Sequence, residues 1–283
     1  MSPATEMRYR LSLPRYSLRF AIAAFPVFSA GAQAQVTDTA RNHQTLFTGT
    51  DAVIAAGFAA ATVAMFPADK YIARHVQNPS SSRNRFVDRS AKSLEFLTSP
   101  GAYIVGPALY AYGRIANHPG IEDLGWHGTE AVILGSAITG ALKVALGRSR
   151  PYVSNDTNPH DFNFFKGTSS TRQSFPSGHT TTAFAVASSV TSEVKRMWPQ
   201  YTWYAAPVMY GGATLVGLSR MYHDQHWASD VVLGAAVGTF SGLKVVRYSH
   251  SHPDNVIDRV ILKASIAPDG RGGALIAWSV PLQ

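Results

Sequence analysis

The chain has 283 residues, of which 46% are apolar and 15% charged, with a formal net charge of +8. This composition excludes a disordered chain, and the length suffices for a sizeable core in one or two domains. The absence of cysteine excludes cysteine-nucleophile phosphatases and thiolate metal sites. The positive charge favours anionic partners such as phosphates, acidic lipid headgroups or nucleic acid.

The N-terminus has the pattern of a secretory signal peptide. Arginines precede an apolar segment over 20–30, and Ala32-Gln33-Ala34 matches the small-x-small cleavage rule. We therefore predict a signal peptide over 1–34 and export to the periplasm. Two alternatives stay open: translation that begins at Met7, and an N-terminal anchor that is not cleaved.

Several apolar stretches rich in Ala, Gly and Val follow, and polar or Pro/Gly-marked joints separate them. They cover 51–66, 101–116, 127–147, 179–197, 203–218 and 229–246. Six helices at this chain length predict an all-α bundle, which we place in a domain over 35–250.

The apolar runs bear on whether the bundle enters a membrane. Uninterrupted runs reach about 12–17 residues, fewer than the roughly 20 that span a bilayer core. Lys143 also interrupts the third stretch. The sequence therefore favours a soluble or membrane-peripheral bundle, and an integral inner-membrane protein is the alternative.

A first group of cations stands at the end of the third stretch. Lys143 and Arg150 are seven residues apart, which places both on one face if the helix continues to Pro151. Two cations at a helix end can clamp a phosphate. The alternative is a solvated basic helix end that includes Arg148.

A long, polar and irregular stretch over 152–175 follows, and loops of this length in compact domains are usually functional. It contains Asp161-Phe162-Asn163-Phe164-Phe165. These aromatic side chains either offer an apolar lip to a lipid chain or pack into the bundle.

The second group is Pro176-Ser177-Gly178-His179, directly before the fourth stretch. Ser177 suits a helix N-cap, and Gly178 lets the backbone approach a ligand closely. The free amides and the dipole of a helix start attract anions, and His179 lies where it can protonate a leaving oxygen. An ordinary capping turn is the alternative.

The third group is Ser219-Arg220, His226 and Asp230. If a helix begins near His226, Asp230 can reach back one turn and hydrogen-bond the imidazole, which fixes the tautomer and frees the other nitrogen for attack. The alternative is a structural histidine. We interpret His223 as structural or as part of the substrate rim.

The C-terminal residues 251–283 differ in pattern from the rest. Two apolar runs, 260–266 and 274–280, flank a turn rich in Pro, Asp and Gly. This pattern predicts a short β-hairpin that packs on the bundle.

The order Lys-x6-Arg-Pro, Pro-Ser-Gly-His, Ser-Arg-x5-His-x3-Asp resembles the type 2 phosphatidic acid phosphatase superfamily, which includes class A bacterial acid phosphatases and vanadium-dependent haloperoxidases. The resemblance covers about 90 residues and is complete over the three motifs. It implies a phosphohistidine formed on His226, oriented by Asp230, with His179 as general acid and then base. The phosphate ligands it implies are Lys143, Arg150, Ser177, Gly178 and Arg220.

We therefore expect a hydrolase of a phosphate or diphosphate ester, with a phosphorylated lipid or a small phosphate ester as partner. The low charge and the apolar helices favour a lipid-linked substrate. The alternatives are a broad-specificity periplasmic acid phosphatase, a vanadate-dependent haloperoxidase and a non-catalytic phosphate binder. The chemistry needs no metal or other cofactor, and no pattern favours nucleic-acid binding.

Overall fold

The computed structural model describes residues 45–76, 84–252, 255, 264–268 and 274–278. The predicted signal peptide lies outside the described residues. The helices are α1 (Gly49–Met65), α2 (Asp69–Val76), α3 (Arg85–Phe96), α4 (Ala102–Ile115), α5 (Pro119–Leu146), α6 (Gly178–Met197), α7 (Thr202–Tyr222) and α8 (Ala228–Ser251). Short strands β1 (Ala264–Pro268) and β2 (Ala274–Trp278) follow.

The described chain is a helical bundle, so the predicted all-α fold is confirmed. Each of the six apolar stretches lies in one long helix, namely α1, α4, α5, α6, α7 or α8. Helices α2 and α3 are short, and their mean hydropathy is low because charged residues occupy much of their length. Their sequences therefore lack the apolar signal by which the other helices were predicted.

Helix α6 lies at the centre and packs against α5, α7 and α8. Small side chains allow the α6–α8 contact to be close: a Cβ atom added at Gly238 would lie 2.3 Å from the Thr181 carbonyl oxygen. Ala185 and Ala187 on α6 are fully buried at the same level of the bundle. The core is thus built from alanine, glycine and hydroxyl side chains rather than from large apolar ones.

The helix directions give the bundle two distinct ends. Helix α5 ends where α6 and α8 begin, and we call this the site end. Helix α5 begins where α6 and α8 end, and we call this the far end. Every sequence motif singled out for phosphate chemistry falls at the site end.

The outer surfaces of several helices are strongly apolar. Large apolar side chains are exposed on α1, α4, α5 and α7, among them Val53, Val63, Ile104, Ile115, Ile133, Ile138, Trp203 and Val208. Three helical stretches are long and apolar enough to cross a membrane: Gly49–Val76, Pro119–Leu146 and Ala228–Ser251, of 28, 28 and 24 residues. The prediction that the helices are too short to span a bilayer is therefore wrong, and these surfaces indicate a membrane-associated protein.

The two strands pair with each other in antiparallel register, with Ala264 opposite Trp278 and Pro268 opposite Ala274. The residues that join them lie outside the described part. How this pair relates to the bundle stays a prediction.

Candidate active site

The end of α5 delivers Lys143. The helix ends at Leu146, and Gly147 caps it in the left-handed region with φ of 55°. A Cβ atom at Gly147 would lie 2.1 Å from the Asn163 carbonyl oxygen, so this turn requires glycine. The prediction that the helix continues to Pro151 is wrong, because Arg150 is already extended. Lys143 and Arg150 therefore reach the site from a helix and a loop rather than from one helix face.

Hydrogen bonds to neutral oxygens hold these cations in place. The Lys143 ammonium donates to the Gln173 carbonyl oxygen. The Arg150 guanidinium donates through Nε to the Ser170 carbonyl at 2.8 Å and through Nη1 to Gln225 Oε1 at 2.9 Å. Both head groups are thus oriented by neutral acceptors, which leaves their positive charges uncompensated by these partners.

The aromatic residues of the long loop divide between the two predicted roles. Phe162 packs near Phe66 and Phe175, with ring centroids 6.3 and 5.9 Å away. Phe164 and Phe165 are instead 62% and 79% exposed. The first ring therefore belongs to the interior, and the other two form an apolar surface beside the site end.

The start of α6 forms the predicted anion cradle. Ser177 is the N-cap residue, but its hydroxyl makes no capping bond; it accepts from Thr180 Oγ1 at 2.9 Å and keeps its own proton available. The nearest atom to a Cβ placed on Gly178 would be Lys143 Cε at 3.9 Å, so protein packing alone does not require glycine there. The first-turn amides of α6 have no intrahelical acceptor and are free to bind an anion.

His226 has a defined tautomer. Its Nδ1 lies 2.7 Å from the Ser174 carbonyl oxygen, and the side chain is buried. A carbonyl can only accept, so Nδ1 carries the proton and Nε2 keeps its lone pair. A neutral imidazole with a free Nε2 is the form that can attack phosphorus.

The spacing predicted a hydrogen bond between Asp230 and the His226 imidazole, and the structure does not contain it. Its Oδ2 lies 3.6 Å from His226 Nδ1, too far for a hydrogen bond. The same oxygen accepts from Ser174 Oγ at 2.5 Å and from the Trp227 amide at 2.8 Å. The Ser174 carbonyl therefore orients His226 directly, and Asp230, which accepts from the Ser174 hydroxyl, acts on the imidazole through Ser174 and by charge.

A buried ion-pair network stands behind Asp230. The fully buried Arg148 donates through Nη1 to Asp230 Oδ1 at 2.6 Å and through Nη2 to Asp69 Oδ2 at 2.7 Å. Asp69 also accepts from the Ser229 amide at 2.8 Å. The sequence analysis named Arg148 only in the alternative of a solvated basic helix end. It missed Asp69 and Ser174, which no local pattern marks.

The charge around the two imidazoles is strongly positive. Burial and then the charges of Arg220, Lys143 and Arg150 lower the pKa of His179 to about 4. Burial, Lys143 and Arg150 likewise lower the pKa of His226 to about 3. The charges of Lys143 and Arg150 thus act on both imidazoles and that of Arg220 acts on His179, and both rings are neutral near pH 7.

Arg220 shows that the site is prepared for an anion. The residue is 9% exposed, and its Nη1 pairs with Glu95 Oε2 at 2.7 Å. Its Nε atom is buried and has no hydrogen-bond partner among the described residues. A buried donor without an acceptor is costly, and a phosphoryl oxygen would satisfy it. Glu95, from α3, is a further site residue that the sequence reasoning missed.

A second cluster lies at the far end, where His127, Glu193 and His250 place one ligand atom each within 4.8 Å of one another. His127 Nδ1 and His250 Nε2 lie 2.6 and 2.7 Å from Glu193 Oε1. Ligands of a tetrahedral zinc ion stand roughly 3.3 Å apart, given its usual bond lengths. The cluster therefore has the geometry of hydrogen bonds that join α5, α6 and α8.

Comparison with known proteins agrees with this geometry. A family model described as the PAP2 superfamily matches residues 125–253. The chain is 38% identical over 113 residues to a lipid A 1-phosphatase of Porphyromonas gingivalis. This alignment covers 38% of this chain and 21% of that protein. It is 32% identical over 142 residues to a lipid A 1-phosphatase of Rhizobium etli, with 49% and 53% covered.

A solved structure shares the fold. The first transmembrane PAP2-type phosphatidylglycerolphosphate phosphatase from Bacillus subtilis superposes with a TM-score of 0.52 at 20% identity, covering 72% of this chain and 97% of that one. The chain spans between about a fifth and a half of the length of the curated relatives it matches. The motifs, their spacing and the helical fold agree with the PAP2 superfamily model, which matches residues 125–253.

Proposed function

We propose that this chain is a metal-independent phosphatase that hydrolyses a lipid-linked phosphate or diphosphate through a phosphohistidine on His226. The observation that carries the proposal is the fixed tautomer of His226, whose Nδ1 proton is held by the Ser174 carbonyl at 2.7 Å. The free Nε2 belongs to the same site as three cations and a second imidazole. This set of groups can bind a phosphate, attack it and protonate the leaving oxygen.

In the first step, Nε2 of His226 attacks phosphorus and the bond from phosphorus to the leaving oxygen breaks. His179 gives its proton to that oxygen, so the leaving group departs as an alcohol or, from a diphosphate, as a phosphate. Arg220 Nε, the Gly178 amide and the ammonium of Lys143 hold the equatorial oxygens, whose charge they match. The phosphoryl group is then bonded to His226.

In the second step, His179, now neutral, takes a proton from water, and the water oxygen attacks the phosphorus of phosphohistidine. The bond from phosphorus to Nε2 breaks, which regenerates neutral His226 and releases phosphate. Uncatalysed phosphate monoester hydrolysis requires the site to remove on the order of 20 kcal/mol of barrier. Acid–base catalysis gives about 10²–10⁴-fold, so the fixed cations and amides must supply most of the remainder.

The low pKa of His179, about 4 in the empty site, constrains how the acid acquires its proton. A phosphate monoester has a second pKa of about 6, so the fraction present as the monoanion, which dominates below that pH, carries the proton that free His179 lacks. Binding brings that proton into the site, and the phosphate charge offsets the cations that depress the pKa of His179. The reactive complex then holds protonated His179 beside a doubly charged phosphoryl group.

Three observations support a lipid substrate and an integral membrane position. The matched relatives are named lipid A 1-phosphatases. The outer faces of α4, α5 and α7 are apolar. A cavity of about 300 Å³ between α3, α4, α6 and α7 is lined by apolar side chains such as Leu94, Val105, Val186 and Val216. Leu94 adjoins Glu95 and Val216 lies one turn before Arg220 in the sequence, and an apolar cavity of this kind can take part of an acyl chain.

Trapping and a substrate panel test the proposal. Rapid acid-free quenching with a ³²P-labelled substrate should leave label on the wild-type protein and none on His226→Ala. The panel compares a glycosyl 1-phosphate lipid of the lipid A type, phosphatidate, a polyprenyl diphosphate and p-nitrophenyl phosphate. We expect a lipid to exceed p-nitrophenyl phosphate in kcat/KM by at least tenfold. Equal labelling of the variant would refute the mechanism, and a preference for the soluble ester would refute the lipid assignment.

A further inference from the structure

Glu95 occupies an unusual position for a carboxylate, because it pairs with a cation that the proposed mechanism assigns to phosphate. Its Oε2 lies 2.7 Å from Arg220 Nη1, and its Oε1 lies 2.7 Å from His223 Nδ1. His223 in turn places Nε2 3.2 Å from Asp88 Oδ1. The side chain is 16% exposed, so solvent screens the Glu95–Arg220 pair only partly.

The two oxygens of Glu95 have different partners, and this decides what the residue can do. Glu95 Oε2 takes one edge of the Arg220 guanidinium, so a phosphate that binds the same guanidinium would repel this carboxylate. The other edge, at Nε, has no acceptor within the described residues. Displacement of Oε2 would still leave Oε1 bonded to His223, so the carboxylate would stay next to the site.

We propose that Glu95 is a resident counter-anion that phosphate displaces from Arg220 and whose return to Arg220 promotes release of the product phosphate. This inference rests on the proposed function, which places phosphate on Arg220. Glu95 neither bonds to phosphorus nor transfers a proton; it is a positioning residue that sets how tightly the site holds a free anion. In the resting enzyme it keeps the Arg220 head group in the orientation that phosphate needs.

Electrostatics gives the size of the effect. A unit negative charge about 6 Å from a bound anion, at an effective dielectric constant of about 20, weakens anion binding by roughly tenfold or more. A glutamine has the shape of glutamate, and its amide oxygen can still accept from Arg220. Glu95→Gln therefore removes the repulsion while it keeps most of the contact between α3 and α7.

The test measures binding of inorganic phosphate and steady-state kinetics in detergent micelles. For Glu95→Gln we expect Ki for phosphate to fall about tenfold, with kcat and KM both lowered because product leaves more slowly. Glu95→Asp keeps the charge and should stay within about threefold of wild type. An unchanged or raised Ki in a Glu95→Gln protein of wild-type melting temperature would overturn the inference.

A matched control comes from the far end of the bundle. Glu122 pairs with Arg114 at 3.0 Å and is 14% exposed, so it resembles Glu95 in burial and in partner. Glu122→Gln should leave Ki for phosphate unchanged. A matching tenfold fall would assign the effect to net charge and refute the role of Glu95.

Calorimetry with phosphate separates this inference from the proposed function. A wild-type protein that binds no phosphate refutes the proposed function. Wild-type binding that Glu95→Gln does not tighten refutes only this inference.

Discussion

Each end of the bundle holds a fully buried carboxylate, Asp230 at the site end and Glu193 at the far end. At the far end, Glu193 Oε1 accepts from two imidazoles, and Oε2 accepts from Arg196 Nε at 3.0 Å. These contacts leave neither carboxylate oxygen without a donor. The cluster therefore has the features of a structural connection between three helices.

At the site end, groups of the same kinds have hydrogen-bond donors and lone pairs that no described protein group satisfies. No hydrogen bond of the His179 ring is found within the part of the chain that the structure describes. Arg220 Nε has no acceptor there either. Lys143 and Arg150 hydrogen-bond neutral oxygens rather than carboxylates. The comparison teaches that reactivity follows from donors and lone pairs left unsatisfied, since both ends contain histidine, arginine and a carboxylate.

The largest effect should separate the two sets of histidines. His226→Asn removes the attacking nitrogen and should lower kcat on the order of 10⁴-fold or more. His250→Asn at the far end should leave kcat within about twofold. Phosphate release in mixed micelles measures both, and comparable losses in the two variants would end the distinction between the ends.

A second effect concerns stability. Arg148→Met leaves two buried carboxylates, Asp69 and Asp230, without their cation and should destabilise the fold by about 3–5 kcal/mol. Arg196→Met should cost about 1 kcal/mol or less, because that side chain is 41% exposed. Denaturant unfolding in micelles measures the difference. Adding Asp69→Asn to Arg148→Met should recover part of the loss, and a further loss would contradict this account.

The pH dependence of kcat/KM should be bell-shaped. Before they bind, enzyme and substrate must together carry one proton that can reach the leaving oxygen. This proton is on the phosphate, because the pKa of His179 is lowered to about 4. Activity should fall tenfold per unit above about pH 6, as the monoester loses its second proton, and should fall below about pH 4, as the imidazoles gain theirs. A profile that rises continuously to pH 8 would exclude His179 as the acid.

We expect removal or addition of metal ions to have no effect. Treatment with EDTA should leave both kcat and the melting temperature unchanged, because the site works through cationic side chains and the far-end cluster is hydrogen-bonded. Added zinc should likewise leave the melting temperature unchanged. A zinc-dependent rise that His127→Asn abolishes would show that the far end holds a metal ion instead.

Much of the fold was predictable because the long helices have continuous apolar sequences. The chemical groups Lys143, His179, Arg220 and His226 were also predictable, since three short motifs carry them. The partners of these groups were not. Tertiary packing alone brings Ser174, Glu95 and Asp69 to the site. No periodicity in the sequence predicts which backbone carbonyl will accept from an imidazole.

Two errors have physical reasons. The membrane prediction counted uninterrupted apolar runs, whereas a helix with one interior cation still presents an apolar surface over most of its 28 residues. The prediction for Asp230 assumed that a spacing of four residues on a helix implies contact. His226 instead precedes α8, which begins at Ala228, and the chain before the helix turns the imidazole toward Ser174.

Asp69 lies well upstream of the matched segment 125–253, yet it binds Arg148 and accepts from the Ser229 amide in the first turn of α8. A fragment trimmed to the shared segment would keep every reacting side chain and still lose the carboxylate that balances Arg148. The start of α8, and with it the position of Asp230, therefore depends on the Gly49–Val76 stretch, which supplies Asp69.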